Sequence, residues 1–291
     1  MHQQILFFDI DGTLTSEIDG SIPASVPIAF REAQEAGLLM FLCSGRCYCH
    51  IEERFRKLEP DGIVCGCGTN VITKKYGEMI HHRISAPEAA LIRDTARENG
   101  IDILYESAER IGFDPQCKMV LAHVKRLAEI VGKDIGSVYV DPDQEGFTCD
   151  KVCIFTEDEE ALKRFKEKTG TILTRIDRGG CLSEMVPKGY SKATGIELVL
   201  QKYGIKKEDS WGFGDSNNDL AMLKYVGHPV VMGNARPEEL KRIAEYVVPK
   251  ASEDGIAIGL RELFRGKGEK CAAALHQDAY GTRARRSRAS K

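Results

Sequence analysis

A chain of 291 residues, 42% hydrophobic and 29% charged, has ordinary globular composition, with room for one large or two modest domains. A net charge of -3 gives no reason to expect nucleic acid as a partner, and no run approaches the ~20 apolar residues of a membrane span. Met1-His2-Gln3-Gln4 lacks the basic start of a signal peptide, so the ten cysteines are expected as free thiols in a reducing cytoplasm.

In chain order, the apolar run Ile5-Leu6-Phe7-Phe8 reads as a fully buried strand that ends in Asp9 and Asp11, with Gly12 turning the chain. A helix over 25–36 carries an apolar stripe at Ala29, Phe30 and Ala33 and stops at Gly37. Residues 38–43 form a second buried strand ending in Ser44-Gly45-Arg46. A helix is expected over 47–58 and a third strand over 62–65. This β-α-β-α-β opening predicts a parallel sheet with helices on its faces. Residues 71–73 and 79–81 read as a hairpin turning at Tyr76-Gly77-Glu78. From Arg83 the rhythm changes. Helices are expected over 87–99, 119–131 and 158–168, and strands over 101–105, 137–140, 151–155, 171–176 and 181–186, which together make an α+β module over 83–185. The first rhythm then returns. Ser191 caps a helix to Tyr203, a strand over 210–214 ends in Asp215, and a helix follows over 219–225. A strand over 229–232, a helix over 237–244, a strand over 246–248 and a helix over 255–264 close the chain's globular part. The stretch 266–291, with Arg283, Arg285, Arg286 and Arg288, reads as a disordered tail in preference to a nucleic-acid or membrane contact.

The chemistry concentrates at strand ends. Asp9 and Asp11 follow the first strand, Ser44 the second, and Asp215-Ser216-Asn217-Asn218-Asp219 a later one, while Lys192 opens a helix. Parallel neighbouring strands would bring all four to one edge of the sheet, where open α/β folds bind ligands. Taken singly, each motif reads equally well as a turn, a cap or a solvated residue. Neither acidic loop fits the calcium template, since Leu14 and Gly20, or Leu220 and Val226, stand where Gly and Glu belong. The cluster Cys43, Cys47, Cys49, His50, Cys65 and Cys67 departs from zinc spacing, with one residue between Cys47 and Cys49, and reads as small buried side chains. Carboxylates at the density of the strand-end group need a cation, and Mg2+ suits one or two carboxylates plus phosphate. Lys and Ser suit phosphoryl oxygens. The inferred chemistry is Mg2+-assisted phosphoryl transfer with an Asp nucleophile.

Asp9-Ile10-Asp11-Gly12-Thr13-Leu14, Ser44-Gly45-Arg46, Lys192 and Gly214-Asp215-Ser216-Asn217-Asn218-Asp219 together resemble the four motifs of the haloacid dehalogenase superfamily of phosphohydrolases. Met232-Gly233-Asn234-Ala235 is similar to a further stretch of its Cof-type branch, although Cys67-Gly68-Thr69 departs from the branch's Asn-Gly-Ala. The resemblance implies an α/β fold with a Rossmann-like parallel-sheet core over 1–82 and 186–265, and an inserted α+β cap domain over 83–185. It also implies roles. Asp9 attacks phosphorus, and Asp11 acts as general acid and then base. The Asp9 carboxylate, the Asp11 carbonyl and Asp215 hold Mg2+, and Asp219 orients a metal-bound water. Ser44, Gly45, Lys192 and Asn218 hold the phosphoryl group. The expected protein is a phosphatase of small phosphorylated metabolites, sugar phosphates foremost, acting as a monomer or homodimer without membrane or nucleic-acid partners. A hexose phosphomutase, which needs a second, Arg-rich phosphate site in the cap, and a non-catalytic phosphosugar-binding regulator are the rivals.

Overall fold

The computed structural model describes residues 3–131 and 135–264. The basic run over 266–291, with its expected tail, lies outside them. The strands are β1 (Ile5–Phe8), β2 (Leu39–Cys43), β3 (Gly62–Cys65), β4 (Asn70–Thr73), β5 (Gly77–His81), β6 (Asp102–Glu106), β7 (Ile111–Phe113), β8 (Tyr139–Val140), β9 (Lys151–Phe155), β10 (Leu173–Asp177), β11 (Leu182–Pro187), β12 (Ser210–Gly214), β13 (His228–Met232) and β14 (Tyr246–Val248). They build two sheets. The first has the order β14-β13-β12-β1-β2-β3-β4-β5, and the second β10-β11-β9-β6-β7-β8.

In the first sheet β14 through β3 run parallel, and only the β4–β5 hairpin reverses. β1 sits at the middle, which explains why all four of its residues are apolar and none is exposed. Its alternation serves both faces. Phe8 stacks on Phe213 with ring centroids 4.5 Å apart and meets Phe30 of the helix Ser25–Glu35 at 4.9 Å. Ile5 and Phe7 point the other way, into a cluster with Phe41, Ile196 and Val199.

The second sheet is antiparallel except where β7 meets β8. Ile103, Tyr105, Val152 and Ile154 pack against the helices Ala86–Glu98 and Glu159–Thr169 through Ile92, Ala96 and Phe165. On the opposite face Leu104, Cys153 and Phe155 meet Cys47 and Cys49, which belong to the loop after β2. The inserted sheet therefore lies with one face towards the strand ends of the first. The mixed α/β architecture, with a parallel core and an inserted cap, is the one the alternation predicts.

Four local expectations need correction. Residues 47–58 do not form one helix. A single turn over Tyr48–His50 and a short helix Glu53–Arg56 are separated by extended backbone at Ile51 and Glu52. Arg46 Nη1 takes the His50 carbonyl at 3.2 Å and the Glu52 carboxylate at 2.7 Å, and these contacts hold the break open. Only the second half of residues 137–140 is strand: the helical turn Ile135–Val138 runs through the first two, and the two-residue β8 follows. β7 is an added strand, paired with β6 from Leu104 to Glu106, in a stretch too short for periodicity to reveal. The β4–β5 hairpin turns over 74–76, two residues earlier than expected, and Gly77, with φ +71°, already belongs to β5.

Candidate active site

The parallel register brings the strand-end motifs together. The β1–β12 ladder runs one residue past Phe8, because the Asp9 amide donates to the Phe213 carbonyl at 2.9 Å. Asp9 thereby comes to lie beside Asp215. The chain then turns at Gly12, whose φ of +81° suits glycine, and a Cβ there would stand 2.4 Å from Asp215 Oδ2. Ser44 continues β2 in the same way, its amide donating to the Val64 carbonyl at 2.8 Å. Ser191 opens the helix Lys192–Tyr203 with a capping box, and the Cys67-Gly68-Thr69 stretch backs that helix start so closely that a Cβ on Gly68 would meet the Ser191 carbonyl at 2.2 Å.

Lys192 is the hub. Its buried ammonium donates to Asp9 Oδ1 at 2.5 Å and to Asp219 Oδ1 at 2.6 Å. The other oxygen of Asp219 accepts from the Asp215 and Ser216 amides, each at 3.0 Å, so protein donors already hold both of its oxygens. Asp215 is held more loosely, with Thr13 Oγ1 and Asn234 Nδ2 both at 3.4 Å. Asn234 also donates to the Gly12 carbonyl at 2.8 Å and accepts from the Ala251 amide at 3.0 Å, tying the turn after β1 to the loop after β13.

Asp9, Asp215 and Asp219 offer ligand atoms within 4.8 Å of one another. Three carboxylates share one ammonium, so charge is left over. Burial, reinforced by Asp219 and Asp11, pushes the Asp9 carboxyl up to about 7. Burial, with Asp9 and Asp219 close by, pushes Asp215 up to about 8. A divalent cation would relieve both, and the donor set, all oxygen, is the kind that hard cations take. The residues present fit such an ion, with Asp9 engaged by Lys192 at one oxygen only, Asp215 held by two long contacts, and Asp219 serving mainly to hold Lys192 and the loop.

Asp11 behaves differently. Its carboxylate turns away from the acidic group and takes a bidentate grip from Arg46, with Nε at 2.9 Å and Nη2 at 2.6 Å. Against partial desolvation, this guanidinium holds Asp11 below the ordinary carboxylate range.

A cavity of about 330 Å³ lies over this edge. Asp11, Gly45, Arg46 and Asn218 form its floor, and Glu106, Lys151 and Glu184 of the second sheet, with Arg178 of the β10–β11 turn, face them. The two sides nearly touch at Gly45, where a Cβ would stand 2.9 Å from Glu184 Oε1 and 3.1 Å from Asn218 Nδ2. Asp9, Ser44 and Lys192 are each 2% exposed or less. The facing wall is built by cross-strand pairing. Glu106 on β6 lies opposite Lys151 on β9, and Glu184 on β11 pairs two residues along, with Cys153, on the same face. Lys151 Nζ sits 2.5 Å from Glu106 and 2.7 Å from Glu184, and His50 Nδ1 reaches Glu106 from the turn after β2 at 2.9 Å.

All the residues singled out from the motifs thus meet at one edge of the parallel sheet. Missed from the sequence were the role of Arg46, although its motif was noted, and the whole Glu106–Lys151–Glu184 wall. The available signal was charge at inward positions of apolar strands, Lys151 in KVCIF and Glu184 in LSEMVP. The cysteines of the 43–67 stretch are buried and form no disulfide among the described residues.

The model of the haloacid dehalogenase-like hydrolase family matches residues 6–260. Among curated proteins, "Putative phosphatase YkrA" of Bacillus subtilis (strain 168) is 31% identical over 271 residues, covering 90% of this chain and 98% of that protein. The 5-amino-6-(5-phospho-D-ribitylamino)uracil phosphatase YwtE of the same organism is 24% identical over 89% of this chain and 97% of its own. Among solved structures, the subclass IIB sugar phosphatase BT4131 superposes with a TM-score of 0.76 at 26% identity, over 90% of this chain and 99% of that one. With the four motifs joined at one sheet edge under an inserted α+β cap, the chain belongs to the haloacid dehalogenase-like hydrolases, as a phosphatase of the Cof type.

Proposed function

We propose that the protein is a Mg2+-dependent phosphatase of small phosphorylated metabolites, sugar phosphates foremost, that works through an aspartyl-phosphate on Asp9. The observation that carries this reading is the buried cluster in which Lys192 donates to one oxygen of Asp9, while Asp9, Asp215 and Asp219 offer ligand atoms within 4.8 Å of one another. Mg2+, held by Asp9, Asp215 and the Asp11 carbonyl, would neutralise charge on the phosphoryl group and bring Asp9 to its ionised form. Asp9 attacks phosphorus, and Ser44, Gly45, Asn218 and Lys192 hold the phosphoryl oxygens. Asp11 protonates the departing oxygen and then takes a proton from the water that cleaves the aspartyl-phosphate. The Arg46 grip leaves Asp11 ionised, ready for the second half. For the first half Arg46 must release it, and Glu52, 2.7 Å from Arg46 Nη1, is the partner that remains to it.

The cap, over 83–185, opens to admit substrate, since Asp9 is only 2% exposed, and closes to exclude competing water. Relatives named as a sugar phosphatase and as a phosphatase of a phosphorylated ribityl compound support small polyhydroxylated substrates. No helix among the described residues is long and apolar enough to cross a membrane.

The test is phosphate release from p-nitrophenyl phosphate and a panel of phosphosugars. Wild type should be active with Mg2+, silent in EDTA and not rescued by Ca2+, whose longer bonds and higher ligand number would disturb the in-line geometry. Asp9→Asn should lower turnover at least ~10^3-fold with an unchanged circular dichroism spectrum, because an amide is a poor nucleophile on phosphorus. Activity of that variant within tenfold of wild type would remove the covalent mechanism.

A further inference from the structure

The cap wall of the cavity carries charge that its own partners do not use up. Lys151 is fully committed, to Glu106, to Glu184 and, at 3.6 Å, to Cys153 Sγ. Glu106 is committed to Lys151 and His50. Two guanidiniums remain. Arg178 has its nearest carboxylate, Glu184 Oε2, at 3.6 Å, beyond hydrogen-bond length. It sits on the turn between β10 and β11, at the entry to Gly179 and Gly180, whose φ values are +85° and +59°. Asn217 Nδ2 ties that turn to the Asp215–Asp219 loop by donating to the Asp177 carbonyl at 3.1 Å. Arg178 is therefore carried by the cap but anchored to the catalytic edge, and its charge is felt by both Asp11 and Asp215. Arg126 comes from a separate element, the helix Lys118–Val131, and lines the same cavity. Among the described residues no carboxylate pairs with it.

An exposed arginine without a partner is common on a helix. Here, though, Arg126 shares one cavity with the half-buried Arg178, whose contact to Glu184 is no closer than 3.6 Å, while each carboxylate on that wall is already bound to Lys151. His50 adds to the balance, because Glu106 and Cys49 hold its ring, against burial, up to about 9. Guanidiniums in this setting fit a carboxylate or a phosphate through paired N–H donors. A volume of about 330 Å³ suits a small metabolite.

We infer that Arg126 and Arg178 form an anion subsite on the cap, so that the preferred phosphate ester carries a second acidic group, a carboxylate or a second phosphate, on its leaving group. This rests on the phosphatase reading above and narrows its substrate class. It also makes the acid group, in place of the hydroxyl pattern alone, the handle for discrimination.

The test compares matched esters: glucose 6-phosphate with 6-phosphogluconate for the carboxylate, and fructose 6-phosphate with fructose 1,6-bisphosphate for the second phosphate. In wild type, kcat/KM for at least one acid-bearing ester should exceed that of its neutral partner tenfold or more, chiefly through KM, and the arm that responds identifies the acid. Arg126→Gln and Arg178→Gln should each reduce that ratio at least threefold, the double variant should bring it near one, and Arg126→Lys should retain part of it. A wild-type ratio near one in both arms, or a ratio that the double variant leaves unmoved, overturns the subsite. Calorimetric binding of the same four esters to Asp9→Asn gives the ratio without turnover. If wild type releases no phosphate from any ester, p-nitrophenyl phosphate included, the phosphatase reading falls, and the calorimetric ratio still decides the subsite.

Discussion

Gly12 shows how much one position can carry. Its φ of +81° and the 2.4 Å separation of a would-be Cβ from Asp215 Oδ2 are separate obstacles to substitution. Gly20 supplies a control, with a similar φ of +70° and open space around it. Both alanine variants should lose about 1–2 kcal/mol through backbone strain. Only Gly12→Ala should also displace Asp215, raising the Mg2+ concentration needed for half-maximal activity tenfold or more. Urea denaturation and a Mg2+ titration of phosphate release separate the two effects. Equal Mg2+ requirements for the two variants would mean that Asp215 does not bind the ion. The motif Asp-x-Asp-Gly was legible in the sequence, but the reason for its glycine was not, because Asp215 lies over two hundred residues away.

Two helix starts invite comparison. Ser191 accepts from the Thr194 amide at the head of Lys192–Tyr203, and Asp158 accepts from the Glu160 and Ala161 amides at the head of Glu159–Thr169. Each cap satisfies donors that the first turn leaves open, so Ser191→Ala and Asp158→Ala should each cost about 1 kcal/mol. Their functional consequences should differ. The residue after Ser191 is Lys192, whose ammonium bridges Asp9 and Asp219, whereas the helix after Asp158 packs on the cap sheet far from the reacting atoms. Steady-state assays on p-nitrophenyl phosphate should show Ser191→Ala losing activity several-fold and Asp158→Ala close to wild type. Both helices could be read from the chain, as their caps are local signals. The supposed helix over 47–58 misled because Arg46 and Glu52 interrupt it with contacts that begin at Asp11, on another strand end.

Across the cavity the buried pair His50–Glu106 joins the turn after β2 to β6 of the second sheet. Glu106 and Cys49 raise the His50 ring from its ordinary 6.5 to about 9. A histidine whose folded value is raised contributes stability that is fully present below its unfolded value and is lost as pH climbs through its folded value. Wild type should therefore exceed His50→Gln in stability by about 1–3 kcal/mol at pH 6. The gap should close between pH 6.5 and about 9, as the pair loses its proton. Urea midpoints of the two proteins at pH 6 and pH 9.5 check this. A constant gap would mean that the contact is one of packing and not of charge.

The alternation of buried strands with helices, the point where it breaks at Arg83 and resumes before Ser191, and the order of four polar motifs were all legible along the chain. Each depends on near neighbours in sequence and on a strand burying both faces or a helix burying one. The cavity wall was not legible. Glu106, Lys151 and Glu184 look like scattered charges until antiparallel pairing sets β6, β9 and β11 side by side, and Arg126 and Arg178 become neighbours of one space only when the helix Lys118–Val131 and the β10–β11 turn are folded around it. Local patterning sets which elements form, since the free energy of each segment depends on residues a few positions apart. Which charges end up facing one another depends on sheet register, and that is fixed by contacts between segments far apart in the chain.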